Sequence, residues 1–511
     1  MKKLSILLVL ALLLTACNSA IPPSATTPTV PTACATHADV DNDNFCDQCQ
    51  AVVVVSFDIY AINDLHGKIA DSNANEGVDE LSSFLRDARA KQSNVIVLSS
   101  GDMWQGSAES NITRGNLTTD WMNAMDFSAM TLGNHEFDWG EEPVAENADL
   151  AEFPLLAINI YDRQTNQRVE YCQPSVLVDS GGVQIGIIGA IGDCYSSIAA
   201  EKVEDIYFKT GATLTQLVKD ESQRLRDAGA DFIIYSLHDG YETSTGSAIR
   251  STNKSQLSSY YDTSLSDGYV DLVFEAHTHQ SYRLVDEYGV YHLQNGGDNN
   301  KGISSASIYI NTANGNTSVS STKLVSIDDY KSMQDDPIVD ELLEKYKEQI
   351  APAYQVIGTN SAYRNSTYLR QTVADLYYQA GLEKWGDQYD IVLGGGFISV
   401  RSPYYLEAGQ VTYGMLQSLL PFDNELVLCS IKGRDLQQKF FESTNKNYFI
   451  SYDEYGSGVK NNIDPDGIYY VVVDTYSASY APNRLTVVAE FGPNIFARDL
   501  LADYIADGGY N

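Results

Sequence analysis

Positive charge is scarce in this chain. Its 511 residues carry 33 Lys and Arg against 68 Asp and Glu, a formal net charge of −35. So acidic a surface repels a phosphate backbone, which excludes a general duplex-binding role. It leaves room for a small anionic substrate, because metals or arginines reverse the field locally. Long apolar runs are scarce too: after Leu14 no stretch is long enough to span a bilayer. Heptads and internal repeats are absent, which removes coiled-coil and solenoid classes. Histidine is rare. There are seven, His37, His66, His135, His238, His277, His279 and His292, and none lies beyond residue 292.

What is present begins with an export signal. Lys2 and Lys3 precede an apolar core, Leu4 to Leu14, too short for a comfortable span. It ends in Leu14-Thr15-Ala16-Cys17, which resembles a bacterial lipobox. The resemblance implies that Cys17 receives lipid and anchors the mature chain to the cell membrane or envelope, facing outside the cytoplasm. The competing reading is an ordinary cleaved signal. Residues 18–33 are rich in Pro, Ser, Thr and Ala and read as a flexible tether. Within the small module that completes residues 18–50, Cys34-x-x-His37 and Cys46-x-x-Cys49 suit a structural zinc. Asp39-x-Asp41-x-Asp43 suits calcium, although Asn44 stands where a calcium loop carries glycine. An oxidising compartment also permits a disulfide knot there, and leaves a Cys172–Cys194 bridge open. Cys429 sits in an apolar strand and reads as an inert buried thiol.

From residue 51 the pattern alternates. Strands are expected at Ala51–Ile62, Asn94–Ser100, Phe127–Leu132, Val183–Ala190, Phe232–Leu237 and Val270–Glu275, with helices at Val78–Ala90, Leu117–Met125 and Ala212–Asp227. This predicts a layered α/β unit over 51–325. Residues 326–352 read as an interdomain linker containing a solvated helix. A smaller α/β unit follows over 353–511, with helices at Thr367–Gln379 and Tyr413–Leu420 and strands at Tyr389–Leu393, Leu426–Ile431 and Tyr469–Val473.

Five clusters of chemistry-bearing residues each follow a predicted strand: Asp64-Leu65-His66-Gly67, Gly101-Asp102, Gly133-Asn134-His135-Glu136-Phe137-Asp138, His238-Asp239-Gly240 and His277-Thr278-His279. Carboxyl ends of strands in α/β sheets converge on one rim. Asp-x-His and His-x-His are expected to place both ligands on one side of an extended segment, since alternate residues share a face. Imidazole, carboxylate and amide oxygen suit zinc, manganese or similar divalent ions. Two such ions about 3.5–4 Å apart activate water and neutralise phosphoryl charge. A hydrogen-bonded strand-end turn explains any single motif. It does not explain five in order.

These motifs, with Ala276-His277-Thr278-His279 last, resemble those of the calcineurin-like metallophosphoesterases and, more closely, the bacterial 5′-nucleotidase family, over residues 55–310. The C-terminal half resembles that family's second domain. The implied fold is a layered metallophosphoesterase β-sandwich flanked by helices, plus a second smaller α/β domain. Asp64, His66, Asp102 and His279 would hold one metal. Asp102 would bridge to a second, completed by Asn134, His238 and His277. His135 would face the phosphate and stabilise charge, oriented by Asp138. Ala276 replaces the family's usual glycine, a small departure. His292 reads as structural, and Gln294-Asn295-Gly296-Gly297-Asp298 beside it has no assigned role.

The second unit would recognise the rest of the substrate. Gly394-Gly395-Gly396 permits close backbone approach, and Arg401 offers bidentate pairing to phosphate. Pro421-Phe422-Asp423-Asn424 resembles the family's Pro-Phe-x-Asn loop, whose ring stacks on a nucleobase; Tyr476 would supply the opposite face. Core packing is the plain alternative for both rings. Arg364 and Arg370 stand where the family carries anion-binding arginines. The departures are larger here: Leu393 replaces the usual Asn, the Arg is delayed to 401, and Tyr480-Ala481-Pro482-Asn483 replaces a Gly-rich acidic loop. The implied function is two-metal hydrolysis of nucleotide phosphate esters outside the cytoplasm, a 5′-nucleotidase releasing nucleoside and phosphate. The alternatives are 2′,3′-cyclic nucleotide or UDP-sugar hydrolysis at the same centre, and a non-catalytic nucleotide-binding lipoprotein.

Overall fold

The computed structural model describes residues 37–49, 51–71, 77–241, 261–295, 297, 302–479, 484–492 and 495–510. Cys17, the tether, Cys34, Gly296, Asp298 and Tyr480–Asn483 lie outside the described residues.

Two six-stranded sheets stack in the first unit. One runs, edge to edge, Thr317–Val325, Ile303–Asn311, Val54–Ile62, Val95–Ser99, Ala129–Thr131 and Leu155–Leu156. Its last four strands are mutually parallel. The other runs Tyr282–Val285, Tyr291–Gln294, Leu272–Glu275, Phe232–His238, Val183–Ile191 and Ser175–Ser180, with the four central strands parallel. Side chains alternate faces along a strand. Phe57, Ile59 and Ala61 therefore fill the space between the sheets, against Ile187, Phe232 and Ile234. Ile62 and Val97 face the other way, towards a core shared with Leu81 and Leu85 of helix Asp79–Lys91 and with Trp121 of helix Asn116–Ala124. Helix Gly211–Asp227 covers the second sheet through Val218 and Leu225. Because the central strands of each sheet run the same way, their carboxyl ends form a common rim.

The second unit is a five-stranded sheet, ordered Tyr448–Ser451, Ile391–Phe397, Ile468–Asp474, Leu426–Lys432 and Leu485–Glu490. Helix Ser366–Trp385 packs on it and begins at Asn365, whose side chain accepts the Tyr368 N–H. This helix outlasts the expected Thr367–Gln379. Gly381 sits where a Cβ would come within 2.3 Å of Val472 Cγ2, so the glycine lets the helix lie close on the strand and continue. Among the described residues no helix is long and apolar enough to cross a membrane.

The linker helix is not fully solvated, contrary to the expectation from its charged run. Ile338–Ile350 buries Val339 and Leu342 in the first unit's core, and the Tyr346 hydroxyl donates to Asp120 at 2.6 Å. The charges occupy only the outer face. Cys172 and Cys194 are not bridged: their thiols donate to Ala157 O at 3.6 Å and His238 O at 2.9 Å. Cys429 is buried, and burial pushes its thiol up to about 12, as an inert thiol requires.

His292 is structural. It is wholly buried, with Nδ1 2.8 Å from Glu275 Oε1 and Nε2 3.4 Å from Asp286 Oδ2. Burial works against its charge, but Glu275 and Asp286 outweigh it and raise the imidazole to about 9. An unfolded histidine titrates near about 6.5. The stability from this charged ring is therefore complete below about pH 6.5 and is lost as pH rises through about 9. Urea unfolding across that window should show falling stability, with a shallower slope in His292→Gln; equal slopes would contradict the assignment.

Candidate active site

The rim gathers the predicted ligands from both sheets. Asp64, Asp102 and Asn134 follow strands of the first sheet; His238 ends a strand of the second and His277 follows another. The local geometry differs from the extended segments expected. Asp64, His66, Asp102, His277 and His279 have φ of 51°, 53°, 56°, 69° and 52°. They are five of the eleven non-glycine residues with positive φ among those described, so the strain is concentrated here. Each such residue costs about 1–2 kcal/mol, and persists only where its surroundings fix it. Hydrogen bonds do so: Asp64 N to Gly101 O at 2.9 Å, His66 N to Asp102 O at 3.0 Å, and His277 N to the Asp64 carboxylate at 3.0 Å. The last joins the two sheets. Left-handed turns, not strand pleating, aim the paired ligands.

Glu136 locks two of these loops together. Its buried carboxylate accepts the N–H groups of Asp102 at 2.9 Å, Met103 at 2.8 Å, Trp104 at 3.3 Å and Gly133 at 2.6 Å. Burial and the nearby Asp102 push this carboxyl up to about 7, while the N–H groups favour its ionised form. At Gly101 a Cβ would lie 2.5 Å from His238 Nδ1, and at Gly133 it would lie 2.3 Å from Asp102 Oδ1, so both positions must be glycine.

Two histidine tautomers follow from the backbone. His238 Nδ1 lies 2.7 Å from Ser100 O, and His66 Nδ1 lies 2.7 Å from Gln105 O. A carbonyl only accepts, so each Nδ1 carries a proton, and in the neutral ring Nε2 presents its lone pair inward. His238 Nε2 then faces Asn134 Oδ1 at 3.2 Å and Asp102 Oδ2 at 3.2 Å. His66 Nε2 faces His279 Nε2 at 3.2 Å, and that atom is 3.5 Å from Asp64 Oδ1. Asp102 Oδ2 is sealed from solvent and faces His238 Nε2. Acceptors facing acceptors at this range repel unless positive charge lies between them. The carboxylates favour positive charge at this point: burial opposes a charge on His238, yet Asp102 and Asp64 push it up to about 10, so without a metal a proton on Nε2 takes the place a cation would fill. His66 and His277 are held neutral, the former well below its ordinary value by burial and Arg401, the latter at about 4 by burial and His238.

Ligand atoms of Asp64, His66 and His279, and of Asp64, Asp102 and His238, fall within 4.8 Å of one another, as do those of Cys194, His238 and His277. This donor set fits divalent metals. Cys194 was not anticipated. Its thiol proton is engaged by His238 O and burial holds its pKa well above the usual value, so it is a neighbour rather than a thiolate. His135 belongs to neither of the Asp64 groups. Its N–H donates to Asp102 Oδ1 at 2.9 Å and its Nδ1 lies 2.7 Å from Asp138 Oδ2. Burial lowers its pKa but Asp138 and Asp102 prevail, so it is raised.

A cavity of about 300 Å³ opens from this cluster towards the second unit. Asn134, His135, Asp138 and His277 of the first unit line it together with Arg401, Phe422, Asn424 and Tyr476 of the second. The Arg401 guanidinium lies 5.8 Å from the Phe422 ring centre, with one nitrogen 3.5 Å from His66 Nε2, so the delayed arginine still reaches the centre. The Phe422 ring lies 5.9 Å from that of His135.

Four anticipated residues stand elsewhere. Arg364 stacks over Tyr368 at 4.5 Å and Tyr510 at 5.0 Å and bonds Asn360. Arg370 donates to Ile398 O at 3.0 Å, supporting the segment that leads to Arg401 from behind. Gly395 and Gly396 do not line the cavity: a Cβ would meet Phe449 O at 2.1 Å and Ser477 Oγ at 2.7 Å, so these glycines serve strand packing. Sequence reasoning missed Phe397 and Lys202, which line the cavity, and Arg498. Phe397 directly follows the three glycines, a signal passed over. Arg498 pairs with Asp423 and donates to Phe422 O at 3.2 Å, fixing the aromatic loop from a distant helix, where no local pattern marks it.

Residues 57–281 match the calcineurin-like phosphoesterase family. The chain is 25% identical to protein UshA of Yersinia enterocolitica over 474 residues, covering 81% of this chain and 84% of UshA. It is 24% identical to a snake venom 5′-nucleotidase of Naja atra over 463 residues, covering 82% and 80%. A 5′-nucleotidase precursor from Thermus thermophilus shares the fold, with a TM-score of 0.64 and 17% identity, over 89% of this chain and 96% of that one. The chain thus carries a calcineurin-like phosphoesterase domain and is a metal-dependent phosphoric ester hydrolase, with 5′-nucleotidases among its relatives.

Proposed function

We propose that the chain hydrolyses nucleotide phosphate esters, foremost nucleoside 5′-monophosphates, releasing nucleoside and inorganic phosphate. The observation that carries this reading is the cavity that joins the carboxylate–imidazole cluster to Phe422 and Tyr476. The 5′-nucleotidases among the relatives support it. Asp64, His66, Asp102 and His279 are assigned to one metal, and Asp102, Asn134, His238 and His277 to its partner, zinc or manganese in kind. When bound, such a pair supplies an activated water and offsets charge on the phosphoryl oxygens.

The protein's own groups do the rest. Arg401 pairs with phosphoryl oxygen beside the cluster. His135, held by Asp138, presents Nε2 to the phosphoryl group, stabilises developing charge and protonates the leaving oxygen. Phe422 and Tyr476 enclose the base, with Phe397 as a third ring, and Asn424 bonds its edge. The function divides between residues 51–325 and 353–511. Export follows from the N-terminal signal, with Cys17 as lipid anchor. The same centre acting on cyclic nucleotides or nucleotide sugars is the second reading. A purely nucleotide-binding role leaves the His135–Asp138 pair without purpose, since metal capture needs neither.

Replacing His135 by Ala should leave metal content intact and lower turnover of adenosine monophosphate by about 10²–10⁴; undiminished phosphate release would remove it from the reaction. Phe422→Ala should raise KM for nucleoside monophosphates about two- to tenfold, the value of one stacked ring, yet leave turnover of p-nitrophenyl phosphate little changed. Equal loss on both substrates would argue against stacking.

A further inference from the structure

A second group of metal-ligand side chains lies outside the active site, in residues 37–49. His37 Nδ1 is 3.4 Å from Cys49 Sγ, and both atoms, with Cys46 Sγ, fall within 4.8 Å of one another. Tetrahedral zinc, with bonds of about 2.3 Å to sulfur and 2.0 Å to nitrogen, holds its ligand atoms about 3.5–3.8 Å apart. The backbone N–H groups of Ala38 and Cys49 are directed at Cys46 sulfur, the arrangement that steadies a ligating thiolate. The segment has little core of its own: Cys46 is buried, but Val40 and Phe45 are 82% and 42% exposed. A fold this short needs a cross-link to persist.

The neighbouring acids are otherwise engaged. Asp39, 3% exposed, accepts Asp43 N at 3.1 Å, Asn44 N at 3.0 Å and Asn311 Nδ2 at 2.6 Å. Asn314 Nδ2 donates to Asn42 Oδ1 at 3.0 Å. The carboxylate thus ties the segment to the turn between Ile303–Asn311 and Thr317–Val325, while ligand atoms of Asp39, Asp41 and Asp43 fall within 4.8 Å of one another beside it. Asn311 pairs with Val54, the first residue of a nine-residue strand whose other end leads to Asp64. The segment therefore sits at the end of the sheet away from the rim, about 30 Å along the strand.

We propose that His37, Cys46 and Cys49 hold one structural zinc-class ion, separate from the active-site pair, which closes residues 37–49 into a clasp on the first sheet. The clasp lies away from the rim, so it bears on the stability of residues 37–49 rather than on turnover.

Metal content of the full chain, wild type against the Cys46→Ser/Cys49→Ser double variant, tests this. The variant should lose one metal equivalent and keep its phosphatase activity. Cobalt-substituted wild type should show a thiolate-to-cobalt charge-transfer band that the double variant lacks and that Asp102→Asn retains. Failure of the active-site assignment would leave that band untouched, so the two ideas are separable. If the double variant does not fold, the cobalt spectrum of the wild type decides alone. Equal metal content in both proteins, absence of the thiolate band, or a disulfide among these cysteines in the unreduced protein would each overturn the proposal.

Discussion

The structure turns on a confrontation of lone pairs. Backbone carbonyls at Ser100 and Gln105 hold the Nδ1 protons of His238 and His66. The opposite nitrogens are thereby aimed at Asn134, Asp102 and His279 across 3.2 Å. Acceptors so placed repel one another unless positive charge, a proton or a cation, lies between them. The fold nevertheless maintains this placement, through five left-handed residues and a buried glutamate that gathers four N–H groups. Such a site is preorganised for cations, and preorganisation lets it act on phosphate without rearrangement at the moment of reaction.

The stacked sheets explain how ligands so far apart in sequence meet. Parallel strands end on one rim, and the Asp64–His277 hydrogen bonds sew the two rims together. The second unit contributes through loops. Its segment after Ile391–Phe397 brings Arg401 to the centre, and the loop that Arg498 secures brings Phe422. Residues of both units thus line one cavity.

Much of this was legible beforehand, for identifiable reasons. Histidine is rare, so its repeated appearance after strands marked the centre, and all seven proposed metal residues do meet there. The sign of φ was not legible: Asp64 and His277 carry no pattern that separates a left-handed turn from an extended segment. Glu136 escaped because its role depends on loops distant in sequence. Arg364 was expected at the cleft by resemblance, and Gly395 and Gly396 because glycines permit close backbone approach, yet aromatic stacking and strand packing claim them. Arg498 escaped because a buried supporting arginine in a helix looks like any other.

The most direct measurement is anomalous diffraction from crystals grown with manganese. The account predicts two peaks about 3.5–4 Å apart, one on each side of Asp102, the first touching His66 and His279 and the second touching Asn134 and His238. A map with nothing between His238 Nε2 and Asn134 Oδ1 at saturating metal, the side chains bonded to each other through protons alone, would contradict it.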